Sequence, residues 1–243
     1  MHANYIRPGG VAQDIPVGTL ASIYNFSRTF ISRIEEIEDM LTTNRIWGGR
    51  LKGVGIATPR AAIGWGFSGV MLRASGIQWD LRKASPYAVY NNLAFRIPVG
   101  LNADCFDRYL VRIQELRESC GILQQCVNNI PEGEIAAMDF KRVRPARPLM
   151  KNSIQAMIQH FKIVSTGPEL GSGIIYASLE APKGEFGVFI SADGESISPE
   201  RVKIRAPGFY HLQGLQLLAP QHLLADVVVI LGSQDIVFGE VDR

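Results

Sequence analysis

The residues best suited to chemistry begin with a glycine-rich run, Gly64–Gly69, of the form GxGxxG. That spacing is typical of dinucleotide binding, where a strand precedes the glycines and the pyrophosphate lies at the N-terminus of the following helix. Here the residues before the glycines predict a short helix, because Thr58 and Pro59 have the types preferred at a helix start. The sequence therefore favours a tight turn that requires glycine over a nucleotide site.

Histidine and cysteine, the usual ligands of transition metals, show no ligand spacing in this chain. The four histidines form no pattern such as HExxH, and the three cysteines include no CxxC pair. We expect packed or solvated histidines and reduced cysteines that behave as small apolar residues. The residues concerned are His2, His160, His211, His222, Cys105, Cys120 and Cys126. Residue chemistry alone thus predicts a module of a larger assembly and no self-contained catalyst.

The composition is that of a folded protein, with 243 residues, 47% hydrophobic and 20% charged. Lys and Arg number 25 against 23 Asp and Glu, a net charge of +2. This balance argues against a nucleic-acid partner or a membrane surface bound through bulk charge. No apolar run approaches the ~18 residues of a membrane span. The N-terminal residues resemble neither a secretory signal nor a transit peptide, so we expect a soluble chain.

Helices supply most of the predicted structure. Apolar residues at steps of three and four predict long helices over about residues 18–43, 104–128 and 151–163. Residues 131–148 contain three prolines and several Lys and Arg residues, which is typical of a surface connector. A further helix near 220–231 is apolar on nearly all sides and is expected to need cover all round.

The second half of the chain changes character from helix to strand. Strand-like runs near 174–180, 185–191 and 201–205 predict a small antiparallel sheet. The predicted fold class is α+β, mainly helical, with a long-helix bundle and a small inserted antiparallel β-region. The predicted organisation is a helical part over 1–165, the β-region over 166–211, and a buried helix with a C-terminal tail over 212–243.

Seven distinctive sequence segments are spread along the chain. They are Met1–Val11, Thr42–Trp47, Gly66–Lys83, Asp104–Tyr109, Glu180–Val188, Lys203–Phe209 and Leu224–Arg243. In this order and without large gaps, they closely resemble the C-terminal part of the 49 kDa, hydrogenase-like quinone-site subunit family of respiratory complex I. The chain departs from the family pattern at Ala12, where the family usually has histidine, and along the connector at 139–149.

The resemblance implies a fold like that of the nickel–iron hydrogenase large subunit and a role in proton-pumping NADH:ubiquinone oxidoreductase. It implies that the chain shapes the ubiquinone cavity next to the terminal [4Fe-4S] cluster, which a neighbouring subunit holds. The chain would bind no metal or cofactor alone, and NADH and FMN would bind other subunits. The implied partners are the terminal-cluster subunit and the membrane-arm quinone-site subunit. The implied location is peripheral, on the matrix side of the mitochondrial inner membrane or the cytoplasmic face of a bacterial membrane.

The resemblance also assigns five residues to the implied site. None of them would itself make or break a covalent bond. His2 matches a family histidine beside the terminal cluster, which would make it a redox-linked proton acceptor. Arg7 matches an arginine in the wall between cluster and quinone. Asp235 and Val237 match the C-terminal part of the cavity wall, and Arg243 matches a terminal arginine that reaches towards the cluster.

The same C-terminal run distinguishes the chain from a hydrogenase. Large subunits of nickel–iron hydrogenases end in a DPCxxC-type motif, and the corresponding run here is Asp235–Glu240. Val237 and Glu240 occupy the two cysteine positions. Because nickel and iron need those thiolates, a nickel–iron centre is excluded and the space is left for a quinone.

The resemblance covers only the C-terminal part of the family's subunit. The family's quinone head-group ligands, a histidine and a tyrosine, and an aspartate that pairs with the histidine belong to the upstream part. We therefore expect either a fragment or one half of a split subunit, with a separate polypeptide supplying the N-terminal part. Met1 and the lack of a transit peptide favour the split subunit. The alternative function is a structural or assembly subunit of the complex, without direct quinone chemistry.

Overall fold

Helices dominate the fold, which is α+β as predicted, with two small antiparallel sheets. The computed structural model describes residues 5–139, 143–167, 171–194, 196 and 198–242. Within them the helices are α1 Thr19–Leu41, α2 Arg45–Leu51, α3 Pro59–Gly64, α4 Val70–Ala74, α5 Leu81–Ala84, α6 Cys105–Asn129, α7 Arg147–Asn152, α8 Ile154–Ser165, α9 Pro207–Gln213, α10 Leu215–Leu218, α11 Leu224–Gln234 and α12 Phe238–Asp242. The strands are β1 Ile6–Arg7, β2 Gly10–Val11, β3 Gly173–Ala181, β4 Gly184–Ala192 and β5 Arg201–Arg205.

The chain forms two compact units. The first comprises Met1–Ala21, Ile130–Ile175 and Phe189–Val202, and the second comprises Ser22–Asn129, Tyr176–Val188 and Lys203–Arg243. No helix within the described ranges is both long and apolar enough to cross a bilayer.

In the first unit, strands β1 and β2 pair antiparallel, with Arg7 opposite Gly10. The expected surface connector contributes to this structure, because Gly10 also forms a bridge with Ala136. The Ala137 amide donates to the Gly9 carbonyl at 2.8 Å. The connector is therefore partly paired with the hairpin, which satisfies backbone groups of both segments.

The helix predicted over about residues 151–163 corresponds to α8 of the first unit, which the short helix α7 precedes. Helix α8 begins only at Ile154, because Ser153 has an extended backbone and serves as its N-cap. The Ser153 hydroxyl accepts a hydrogen bond from the Ala156 amide at 3.4 Å. One face of α8 is apolar and exposed in this chain; it consists of Ile154, Met157, Ile158, Phe161 and Val164.

The second unit contains the main hydrophobic core, which is contributed by α2, α3, α4, α6, α10, α11 and the loops between them. Its buried members are Leu51, Val54, Ala57, Ala62, Phe67, Met71, Leu72, Cys105, Leu218 and Ile230. A separate cluster joins the two long helices, with Ile34 of α1 packed against Ile113 and Cys120 of α6. The same helices are linked by an ion pair between Glu38 and Arg117.

Helix α11 differs from the expected helix at 220–231 in its bounds and in its cover. It begins at Leu224 because Leu223, its N-cap, has an extended backbone, and the Leu223 amide donates to the Asp226 carboxylate at 3.2 Å. Ile230 is fully buried, whereas Val228 is 64% exposed. The described chain therefore covers this helix on one side and leaves apolar side chains exposed on another.

Candidate functional site

The segment Ser233–Val237 at the end of α11 contains two of the residues implied by the resemblance, Asp235 and Val237. Helix α11 ends at Gln234, and Asp235 takes up the left-handed conformation, with φ 54° and ψ 51°. Aspartate tolerates that conformation better than most residues other than glycine, and neighbouring contacts stabilise it further here. Val237 follows two residues later and is 48% exposed. The segment thus presents an apolar side chain next to a constrained turn.

The side chain of Lys183 contacts both the backbone and the side chain of Asp235. The Lys183 ammonium donates to the Asp235 carbonyl oxygen at 2.7 Å and lies 3.0 Å from a carboxylate oxygen of the same residue. Lys183 belongs to the two-residue turn between β3 and β4, which are neighbours in the order β3-β4-β5. The hairpin therefore holds the turn that precedes Val237.

Two arginines of α6 hold the same segment from another direction. Arg112 donates to the Ser233 carbonyl at 2.6 Å, and the fully buried Arg108 donates to the Ser233 hydroxyl at 3.0 Å. Burial lowers the pKa of both guanidinium groups, and for Arg112 the nearby charge of Asp235 opposes that shift. Both cations lie at the C-terminal end of α11, where the helix dipole favours positive charge.

The glycine-rich run Gly64–Gly69 forms the surface on which the β3–β4 turn rests. Gly69 has φ +62°, and a Cβ atom on it would lie 2.5 Å from Cα of Gly184. The Ser68 hydroxyl accepts a hydrogen bond from the Glu185 amide at 3.1 Å. The preceding element is helix α3, capped by Thr58. The glycines here permit a close approach of two backbones, which is the interpretation that the sequence favoured.

His211 supports the same loop from inside the core. Its Nε2 accepts a hydrogen bond from the Ser68 amide at 3.4 Å, and its ring contacts Phe67 edge to face. Burial lowers the pKa of His211 to about 4. The imidazole is therefore neutral at physiological pH, which leaves the Nε2 lone pair free to accept this hydrogen bond.

A buried ionic cluster anchors the strand that leads into the Lys183 turn. Arg73, 2% exposed, donates to Glu115 of α6 at 2.6 Å and to Glu180 of β3 at 2.7 Å. Asp80 lies 3.9 Å from the same guanidinium and pairs with Arg82 at 2.6 Å. Burial is the largest influence on Glu180 and raises its pKa, against the attraction of Arg73. The cluster ties α4, α6 and the hairpin together.

The family model for the respiratory-chain NADH dehydrogenase 49 kDa subunit matches residues 1–243. The chain belongs to this 49 kDa subunit family. It is 55% identical to the NADH-ubiquinone oxidoreductase 49 kDa subunit of Reclinomonas americana and 56% identical to that of Prototheca wickerhamii. It is 54% identical to the NADH dehydrogenase [ubiquinone] iron-sulfur protein 2 of Arabidopsis thaliana. Each comparison covers the whole of this chain but only 60–61% of the relative, so the chain spans about three fifths of the 49 kDa proteins that it matches.

Three of the five residues that the 49 kDa family pattern implies for the site lie within the described residues. Asp235 and Val237 lie in one segment of the second unit. Arg7 lies in strand β1 of the first unit and is exposed. His2 and Arg243 lie outside the described residues. Across the described parts of the chain, no three His, Cys, Asp or Glu side chains are arranged to hold a metal ion.

Lys183, Arg108 and Arg112 hold the segment Ser233–Val237 but are not among the site residues predicted from the sequence. Lys183 lies within a block quoted for the 49 kDa resemblance, but its partner Asp235 is 52 residues away. For Arg108 a signal was present. It follows the buried Cys105 by three residues in α6, and an arginine on the apolar side of a helix needs buried acceptors.

Proposed function

We propose that this chain is a subunit of proton-pumping NADH:ubiquinone oxidoreductase and that the segment from Asp235 to Val237 forms part of the wall of the ubiquinone cavity. The first statement is supported by the 49 kDa relatives, which are named as NADH-ubiquinone oxidoreductase and NADH dehydrogenase [ubiquinone] proteins. The observation that carries the second is the half-exposed Val237 beside a left-handed turn that Lys183 and Arg112 hold in place. An apolar side chain on a rigid support suits the ring or tail of a quinone.

In this proposal the chain supports electron transfer and binds no cofactor alone. A neighbouring subunit holds the terminal [4Fe-4S] cluster, a membrane-arm subunit completes the quinone site, and NADH and FMN bind elsewhere in the complex. Arg7 and Arg243 supply positive charge near the cluster, where it would stabilise reduced, anionic states. The location is peripheral, on the matrix side of the mitochondrial inner membrane or the cytoplasmic face of a bacterial one.

The proposal predicts that Val237→Met changes inhibition by quinone analogues. A longer side chain in a binding wall alters affinity by about tenfold, so the inhibitor concentration for half-inhibition should shift by that factor. Val228→Met is the matched control, because Val228 is an exposed valine on α11. NADH oxidation by a water-soluble artificial acceptor, measured on the same membranes, reports the amount of working complex.

Two results would contradict this assignment of Val237. Equal inhibition in Val237→Met, Asp235→Asn and the parent complex, at normal complex content, would remove the segment from the quinone wall. Loss of the complex on a native gel even with the mild change Val237→Ile would indicate the alternative function, an assembly subunit without quinone chemistry.

A second prediction concerns His2 and the terminal cluster. Reduction adds one negative charge to the cluster, and in this proposal that charge favours uptake of a proton by the neighbouring His2 imidazole, which couples reduction to protonation. His2→Met should therefore abolish the pH dependence of the cluster midpoint potential, measured by redox titration of the complex. An unchanged pH slope would leave His2 as an interface hydrogen-bonding residue only.

A further inference from the structure

We propose that Lys183 and Arg112 are positioning residues of the quinone site, which hold Asp235 in its left-handed turn and thereby fix the place of Val237. This inference rests on the proposed function above. It assigns a role to the β3–β4 hairpin, which the family resemblance alone treats as an inserted β-region.

Lys183 holds a single residue, Asp235, through two contacts. Its ammonium group contacts the backbone carbonyl and the carboxylate of Asp235 together, at 2.7 and 3.0 Å. Lys183 is only 20% exposed, whereas Asp235 is 50% exposed, so the lysine is the more firmly enclosed partner. The ammonium group holds both the backbone and the carboxylate of this turn, so removing it should let Asp235 leave its left-handed conformation, which is tolerated by aspartate but not preferred over the right-handed one.

Arg112 holds the residue at the other end of the turn. Its guanidinium donates to the Ser233 carbonyl at 2.6 Å from α6, an element separate from the hairpin. Carbonyl groups in the last turn of a helix have no partner within the helix, and a cation there satisfies both their hydrogen bonding and the helix dipole. Residues 233 and 235 are thus fixed through backbone oxygens from two sides.

The hairpin itself has a rigid base, which the role requires. The close contact of Gly69 with Gly184 and the hydrogen bond from the Glu185 amide to Ser68 lie beside Lys183 in the chain. On the other side, Glu180 is bound to Arg73. Because its turn is held from both sides, Lys183 has a fixed position and can hold Asp235 in place.

The test uses the assembled complex with Lys183→Met and Arg112→Met. We expect the KM for a short-chain quinone to rise about tenfold, equivalent to ~1.4 kcal/mol, while NADH oxidation by an artificial acceptor stays at the parent value. Lys183→Arg should restore most of the affinity because it keeps a charged donor. Lys203→Met, an exposed lysine of β5, is the control and should leave the KM unchanged. If Lys183→Met does not accumulate, Lys183→Gln replaces it, since the amide keeps a donor but loses the charge.

The outcomes separate this inference from the proposed function. One outcome is that Val237→Met shifts inhibition while Lys183→Met and Arg112→Met keep the parental KM. That outcome overturns the positioning role and leaves the assignment of Val237 to the quinone wall in place. Parental values in all three variants overturn the proposed function. A tenfold KM change in Lys203→Met of the same size as in Lys183→Met also overturns the positioning role, because the effect would then follow lysine charge in general.

Discussion

Replacing Arg73 with methionine should lower the stability of the second unit by about 3–5 kcal/mol, the cost of breaking a buried ion pair by removing one partner. Arg73 is 2% exposed and faces three carboxylates, those of Glu115, Glu180 and Asp80. Methionine fills a similar volume but leaves Glu180, whose side chain is 4% exposed, without its main cation. We expect the complex to lose activity at a markedly lower temperature and to accumulate poorly.

Arg33→Met provides a matched control for Arg73→Met. Arg33 also pairs with a glutamate, Glu36 at 2.8 Å, but both side chains are more than 60% exposed. An exposed pair of this kind contributes little to stability, so the midpoint of thermal inactivation should hardly move. Equal shifts of the inactivation midpoint in Arg73→Met and Arg33→Met would contradict the claim that burial of the ion pair causes the loss of stability.

Two observations would identify the unpaired carboxylate as the cause in Arg73→Met. Burial already raises the pKa of Glu180, and loss of the cation raises it further. The native state then favours a neutral Glu180, so its stability deficit should shrink as the pH falls through that raised pKa and grow as the pH rises. Adding Glu180→Gln should likewise recover part of the stability of Arg73→Met. A deficit independent of pH and unaffected by Glu180→Gln would point to lost packing.

Replacing Gly69 with alanine should have the second large effect, about 3 kcal/mol from overpacking and an unfavourable backbone conformation together. The added Cβ would lie 2.5 Å from Cα of Gly184 and 2.9 Å from the Lys183 carbonyl oxygen. Both contacts are with backbone, which cannot rotate away. The hairpin must therefore separate from the loop, and we expect faster thermal inactivation of the complex and weaker quinone binding.

Gly64→Ala is the matched control for Gly69→Ala, since both glycines belong to the same GxGxxG run. A Cβ on Gly64 would meet nothing within 4 Å, and Gly64 is the last residue of helix α3. Alanine there should be neutral or stabilise the helix by up to ~1 kcal/mol. Similar losses in both variants would indicate that the motif acts as a unit, as a nucleotide-binding loop would.

The amino-acid sequence by itself determined the long helices, the three strands of the larger sheet and the family. These features depend on periodicity over neighbouring residues, as in α1 and α6, and on blocks that can be compared one by one. The expectation that this chain holds no nickel–iron centre likewise rests on residue type, because Val237 and Glu240 stand where the resemblance places cysteines. Chemistry that depends on residue type at a fixed position needs no tertiary structure.

Only the tertiary structure decided which residues hold the site. Glu115 and Glu180 are 42 and 107 residues from Arg73, and no spacing rule links groups so far apart in the chain. Gly64 and Gly69 are equivalent in the motif, yet only Gly69 meets another backbone. The apolar run near residue 225 indicated a helix, but its start depended on the cap formed by Asp226 and its cover on the elements packed against it. Burial and long-range charge pairing arise when distant segments meet, and the local sequence does not contain that information.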